Sequence, residues 1–141
     1  VERIQSLLEQ TVKEQDANVD VDKYLRICEL QGIEPDPEKM PLNPSIFPEE
    51  VQSAFFIYSM LEDTWDGTSG SYLGKKYSFC EYLFNLHEID NPKVVLFFIK
   101  MYDGIVTSHR AEKAERRRKA EERKAKTSAG SGKQYTHNVK L

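Results

Sequence analysis

The chain has 141 residues, 39% of them hydrophobic and 30% charged, and a formal net charge of −3. Its longest apolar run, residues 94–99, is far shorter than the ~20 residues that span a bilayer, so the sequence predicts no membrane contact. The two cysteines, Cys28 and Cys80, lack the spacing of a zinc site. We therefore expect no metal and two reduced thiols, with a single disulfide as the alternative.

The small net charge conceals two opposed segments. Residues 1–106 contain nine Lys/Arg and nineteen Asp/Glu, whereas residues 107–141 contain eleven Lys/Arg and four Asp/Glu. Such asymmetry is typical of an acidic folded body joined to a basic segment that contacts another molecule.

The first third of the chain predicts two helices and a connector. Apolar residues at helical spacing indicate helices over 2–14 and 21–31. Asp20 is the expected N-cap of the second helix and Gly32 its C-terminal stop. Residues 1–19 thus form an N-terminal helix and turn, and a helical body begins at residue 20. Five prolines between 33 and 48 predict an extended connector, which is either a binding surface or a plain spacer.

The central segment predicts two further helices. The first begins at Pro48, runs to Leu61 and is largely buried, with Phe56 among its core residues. Residues 62–77 are expected to form a glycine-punctuated loop. Ser78 and Glu81 have the spacing of a capping box, which opens a short helix over 79–87. Its inward residues are expected to be Phe79, Tyr82, Leu83 and Leu86.

The last predicted helix begins at Asn91-Pro92 and changes character along its length. Its first half is apolar and completes the body, which ends at residue 106. Residues 107–126 keep a strongly helix-forming composition but lose the apolar face, which predicts a charged basic helix. A flexible linker over 127–133 and a terminal peptide over 134–141 follow. The predicted fold is mainly α: a small helical body with a long protruding C-terminal basic helix and an extended tail.

The sequence contains no recognisable catalytic constellation. The glycine-rich loop before Lys75 lacks the spacing of a phosphate-binding loop, and no predicted strand precedes it. The histidines at 87, 109 and 137 are scattered, and no nucleophile has a neighbouring base. We therefore predict a non-enzymatic protein without catalytic residues, metal or cofactor.

The basic helix and terminal peptide are the predicted partner-binding segments. Three interpretations of the helix stay open: contact with a protein, contact with nucleic-acid phosphates, and a helix that is merely solvated. Four glutamates interrupt its positive charge, and aromatic residues for base stacking are missing, which together favour a protein partner with an acidic surface. The candidate residues are Arg110, Lys113, Arg116, Arg117, Arg118, Lys119, Arg123, Lys124, Lys126, Tyr135, Val139 and Leu141.

Two segments carry a resemblance to known proteins. Residues 47–61 (FPEEVQSAFFIYSML) and residues 65–75 (WDGTSGSYLGK) are similar to segments in small proteins of tailed bacteriophages. The charged helix over 112–126 and the short terminal peptide fit the same pattern. The resemblance implies a virion, tail or baseplate component, or an assembly chaperone that escorts one.

The predicted function follows from the charge pattern and this resemblance. We expect a phage structural or assembly protein in a multi-subunit complex, located in the host cytoplasm or incorporated in the virion. Its basic helix and terminal peptide would bind neighbouring subunits, where charge complementarity sets register and encounter rate. The alternative is a nucleic-acid-associated factor that contacts phosphates through the same helix.

Overall fold

The fold is mainly α, as predicted. The computed structural model describes residues 1–137, with side chains through residue 129. Within this range the α-helices are α1 (Glu2–Asp16), α2 (Val21–Gln31), α3 (Glu49–Met60), α4 (Cys80–Leu86) and α5 (Pro92–His137). The chain divides into two compact units, the first over 1–109 and the second beginning at Arg110.

Helix α1 runs two residues beyond its predicted end, and α2 has its predicted bounds and caps. The Asp20 side chain accepts a 2.7 Å hydrogen bond from the Lys23 backbone N–H at the start of α2. Gly32 ends the helix at φ +66°, a left-handed conformation that glycine adopts without steric cost. On α1, Leu8 and Val12 are buried in the core of the first unit, so this helix is part of the body.

The proline-rich connector is irregular except for one 3₁₀ turn at Pro44–Ile46. Side chains of the first two helices hold its backbone. The Glu14 carboxylate accepts from the Leu42 N–H at 2.9 Å, and the Tyr24 hydroxyl accepts from the Asp36 N–H at 3.1 Å. The connector ends at Phe47, which is buried. It is therefore an anchored segment of the body.

The core lies between α3 and the first turns of α5. Its fully buried side chains include Ile57 on α3 and Val95 and Ile99 on α5. The ring of Phe55 meets that of Tyr102 edge to face, with centroids 5.1 Å apart. Each large apolar side chain removed from water contributes about 1.5–3 kcal/mol, so these helices supply most of the burial that stabilises the body.

Residues 62–77 form a β-hairpin where the sequence predicted a loop. The strands β1 (Asp63–Trp65) and β2 (Tyr72–Lys75) pair antiparallel, with an irregularity between Thr64 and Trp65. The turn is closed by Asp66, whose carboxylate accepts from the Thr68 N–H and the Ser69 hydroxyl. The β-branched and aromatic residues that flank Gly67 and Gly70 were the available signal for this hairpin.

The carboxylate of Asp103 on α5 attaches the hairpin to the helices. It is buried and accepts from the Lys75 backbone N–H at 3.1 Å and from the Tyr77 hydroxyl at 2.6 Å. Gly74 makes room for it: this glycine has φ +100°, and a Cβ there would lie 3.0 Å from a carboxylate oxygen of Asp103. A buried carboxylate with donors on both oxygens is a strong tether, because separating them would leave buried polar groups unpaired.

Helix α4 differs from its prediction in both its start and its orientation. It begins at Cys80 after Phe79 and has no side-chain cap, so the predicted capping box does not form. The Tyr77 carbonyl accepts from the Cys80 N–H instead, at 3.0 Å. Phe79, Tyr82 and Leu86, predicted to point inward, are exposed; Leu83 is half-buried against the core.

Helix α5 also corrects a prediction at its C-terminal end. Residues 127–137, predicted as a flexible linker and the start of an extended peptide, continue the helix to His137. A helix that is already formed adds residues without a new nucleation cost. Each glycine in that segment costs only about 1 kcal/mol relative to alanine. Residues 138–141 of the predicted terminal peptide lie outside the described residues.

Removal of the Asp103 carboxylate should be strongly destabilising. In Asp103→Ala the Lys75 N–H and the Tyr77 hydroxyl lose their buried acceptor, and we expect the free energy of unfolding to fall by about 3 kcal/mol. Urea denaturation at neutral pH measures this change. Glu34→Ala, which removes an exposed carboxylate, should change stability by less than about 0.5 kcal/mol. Equal effects of the two substitutions would contradict the role assigned to Asp103.

Stability should fall in alkaline solution because two half-buried tyrosines resist ionisation. Burial is the main cause that raises the pKa of Tyr72 from 10.0 to about 12, and burial followed by the hydrogen bond to Asp103 also raises the pKa of Tyr77. Above pH 10 the unfolded chain loses these protons while the folded chain keeps them. The tyrosines therefore contribute stability that is present below pH 10 and lost as the pH rises.

Urea denaturation between pH 8 and 11 of the wild type and Tyr77→Phe tests this linkage. The stability advantage of the wild type should shrink as the pH rises, because only the wild type carries the Tyr77 hydroxyl. An advantage that stays constant with pH would contradict the raised pKa.

Candidate functional site

Lys75 is part of the structural framework of the hairpin. Its ammonium lies 3.1 Å from the Asp63 carboxylate and 3.0 Å from the Leu61 carbonyl oxygen, to which it donates. It also lies 4.7 Å from the centre of the Tyr58 ring. The lysine thus joins the end of α3 to the hairpin.

The described histidines and cysteines do not gather into one site. Their contacts stabilise the fold. The His87 ring packs edge to face on Phe56 with centroids 4.9 Å apart, and His109 Nε2 lies 3.3 Å from the Asp16 carboxylate. Cys28 and Cys80 are free, buried thiols, and burial raises the pKa of Cys80. Among the described side chains, which extend to residue 129, we find no group suited to a metal ion, and no helix in the described part of the chain is able to span a bilayer.

One surface of the first unit is an exposed apolar patch on two packed helices. Helices α3 and α4 contact each other, and five of their large apolar side chains are between 38% and 62% exposed. We call this patch the α3–α4 face. It consists of Phe56 and Met60 on α3, Phe79 just before α4, and Tyr82 and Leu86 on α4.

Helical spacing aligns these side chains. Phe56 and Met60 are one turn apart, and Phe79, Tyr82 and Leu86 follow one another at intervals of three and four residues. A groove of about 160 Å³ lies between Met60 and the pair Phe79 and Tyr82. The less exposed Leu61 and Leu83 also line it. The face is therefore an indented apolar surface.

An acidic cleft borders this face. It is lined by Glu49, Glu50, Glu88 and Asp90, together with His87. Because the His87 ring contacts Phe56, the acidic cleft and the apolar face meet at this pair of rings. The arrangement combines apolar contact area with negative charge at its edge.

In the second unit, the predicted basic residues lie on an exposed stretch of α5. Its glutamates form ion pairs along the helix: Arg118 is 2.6 Å from Glu115 and 3.2 Å from Glu122, and Lys119 is 3.9 Å from Glu115. The hydrogen bond from Arg118 lowers the pKa of Glu115. These pairs occupy one side of the helix.

A separate basic stripe lies on the other side of this stretch. Successive α-helical residues are rotated by about 100°, which places six basic side chains within an arc of about 140° that contains no acidic residue. Two of the four glutamates, at positions 112 and 121, border this arc, so the acidic residues do not interrupt the positive charge as the sequence suggested. The basic stripe consists of Arg110, Lys113, Arg116, Arg117, Arg123 and Lys124.

The structure does not unite all the predicted partner-binding residues on one surface. Arg118, Lys119 and Lys126 lie on the side of α5 that carries the ion pairs, away from the basic stripe. Tyr135 falls within the helical backbone, and Val139 and Leu141 lie outside the described residues.

Sequence reasoning missed the α3–α4 face entirely. It assigned the large apolar residues of both helices to the interior, because apolar spacing identifies a helical face without showing what covers it. In α4, the half-buried Leu83 and Phe84 and the buried Cys80 contact the core. The seven-residue helix is apolar on more than one side, but contact with the core covers only one side. The apolar residues on its other side were the available signal for an exposed face.

Comparison with known proteins adds no family assignment. Protein-family models, curated protein sequences and solved structures give no match to this chain.

Proposed function

We propose that this chain is a non-enzymatic assembly protein that binds a neighbouring protein subunit through the α3–α4 face. The observation that carries the proposal is the group of five large apolar side chains exposed together on two packed helices. Isolated exposed apolar residues are common, but a contiguous patch rimmed by charge is typical of a protein-binding surface.

The composition of the face suits a protein interface. Binding energy at interfaces is concentrated in a few aromatic and apolar anchors that fill pockets. Phe79 and Tyr82 supply such anchors, and the groove beside Met60 can receive an apolar side chain from the partner. Completing the burial of the five side chains would contribute several kcal/mol, since each contributes about 1.5–3 kcal/mol when fully buried.

Charge complementarity defines the partner segment. The cleft beside the face carries four carboxylates, and the first 106 residues carry a net charge of −10. A fitting segment therefore presents apolar residues to the α3–α4 face and neighbouring Lys or Arg residues to the acidic cleft. Such pairing orients the two proteins and speeds their encounter.

The resemblance of residues 47–61 and 65–75 to small proteins of tailed bacteriophages supports a more specific proposal. The partner is then a virion, tail or baseplate subunit, and the protein acts in the infected host cytoplasm or in the particle. Contact between neighbouring subunits and the C-terminal segment, Tyr135, Val139 and Leu141 included, stays a prediction.

Site-specific photo-crosslinking in infected cells tests this function. A photoreactive phenylalanine analogue at position 82 should crosslink to one phage protein. The same analogue at position 30, where Leu30 is 81% exposed on α2, should not. Mass spectrometry of the crosslinked peptide should identify a segment that combines apolar and basic residues.

Paired leucine substitutions provide the matched control. Leu86→Glu places a charge in the α3–α4 face and should abolish the crosslink from position 82 and lower the yield of assembled particles. Leu30→Glu adds the same charge to an exposed helical site elsewhere and should leave both unchanged. The proposal fails if the two variants behave alike, or if positions 30 and 82 crosslink to the same proteins.

A further inference from the structure

We infer that the basic stripe on α5 binds the phosphate backbone of a double-stranded nucleic acid without reading its sequence. This surface lies in the second unit, whereas the α3–α4 face lies in the first. The inference goes beyond the proposed function and does not depend on it.

The first argument is the segregation of charge around the helix. The acidic side chains that pair with Arg118 and Lys119 lie on one side, and the six cations of the basic stripe lie on the other. Among the described side chains, Arg116, Arg117, Arg123 and Lys124 form no ion pair. A helix that was merely solvated would gain most from opposite charges three and four residues apart on every side. Arg118 and Lys119 form such ion pairs here, whereas Arg116, Arg117 and Lys124 do not, although Glu112 or Glu121 stands three or four residues from each of them.

The second argument concerns the class of partner. Between residues 110 and 129, alanine is the only apolar residue type on the helix. A protein interface obtains its energy largely from apolar and aromatic anchors, which this surface lacks. A polyphosphate needs only cations, because binding releases the counterions condensed on the nucleic acid. The surface therefore fits phosphates better than an acidic protein.

The third argument favours a duplex over a single strand. Proteins that bind single strands stack the bases on aromatic side chains, and the sequence has none from residue 103 to 134. The basic stripe runs along about 21 Å of helix axis, from Arg110 to Lys124, at 1.5 Å per residue. A duplex presents one phosphate for about every 1.7 Å of its axis, so several phosphates lie within reach of the six cations.

Salt-dependent binding to DNA tests the inference with two matched triple variants. The stripe variant Lys113→Gln/Arg116→Gln/Lys124→Gln removes one arginine and two lysines from the basic stripe. The control variant Arg118→Gln/Lys119→Gln/Lys126→Gln removes the same residue types from the opposite side. Glutamine is a good helix former, and far-UV circular dichroism should show equal helix content in both.

Fluorescence anisotropy with a labelled duplex of about 20 base pairs, at about 50 to 200 mM salt, measures the affinities. For the full chain, the logarithm of the binding constant should fall linearly with the logarithm of salt concentration. The slope should become shallower by about 0.9 for each phosphate contact that is lost, hence by 2 to 3 in the stripe variant. The control variant should keep most of the wild-type slope.

Three results would overturn the inference. The first is a full chain that does not bind the duplex at the lowest salt concentration. The second is an equal loss of slope in the two variants, which would indicate a response to net charge alone. The third is tighter binding to poly-glutamate than to the duplex, which would assign the basic stripe to an acidic protein. None of these results bears on the crosslink from position 82, so the two proposals fail separately.

Discussion

The buried carboxylate of Asp103 is the interaction on which the arrangement of the body depends. It accepts from the Lys75 backbone and the Tyr77 hydroxyl, and thereby fixes the hairpin to α5. Tyr77 in turn precedes α4 and supplies the carbonyl that begins its first turn. Because an unpaired carboxylate inside a protein is costly, this arrangement tolerates little variation. Together with the core contacts of α4, this buried hydrogen-bonded group positions the helix and with it three of the five side chains of the α3–α4 face.

The α3–α4 face is exposed because the core is completed without it. Helices α1, α3 and α5 bury one another's apolar residues, and the short α4 contributes Cys80 and Leu83 to that contact. Its other apolar side chains remain in water, at a cost that binding to a partner would recover. The acidic cleft beside them adds a charge preference, so the proposed interface would combine an apolar contact with an electrostatic one.

The two proposed binding surfaces depend on different physical interactions. The α3–α4 face depends mainly on apolar burial, which responds weakly to moderate salt concentrations, and salt weakens only the contribution of its acidic cleft. The basic stripe depends on counterion release, which salt suppresses steeply. An assembly protein with both surfaces could bind a protein subunit and a nucleic acid at once, each through its own unit of the fold. Salt concentration then distinguishes the two contacts experimentally.

Caps, spacing and charge are local properties, so the sequence alone predicts the helical class, the ends of α2 at Asp20 and Gly32, and the basic character of the C-terminal segment. It did not determine the hairpin, whose strands are joined through an irregular register and held by Asp103, 28 residues beyond Lys75. Nor did it determine that Phe79 and Tyr82 face outward. These features follow from tertiary contacts, because burial depends on which elements meet, and a helical apolar pattern is the same whether a core or a partner covers it.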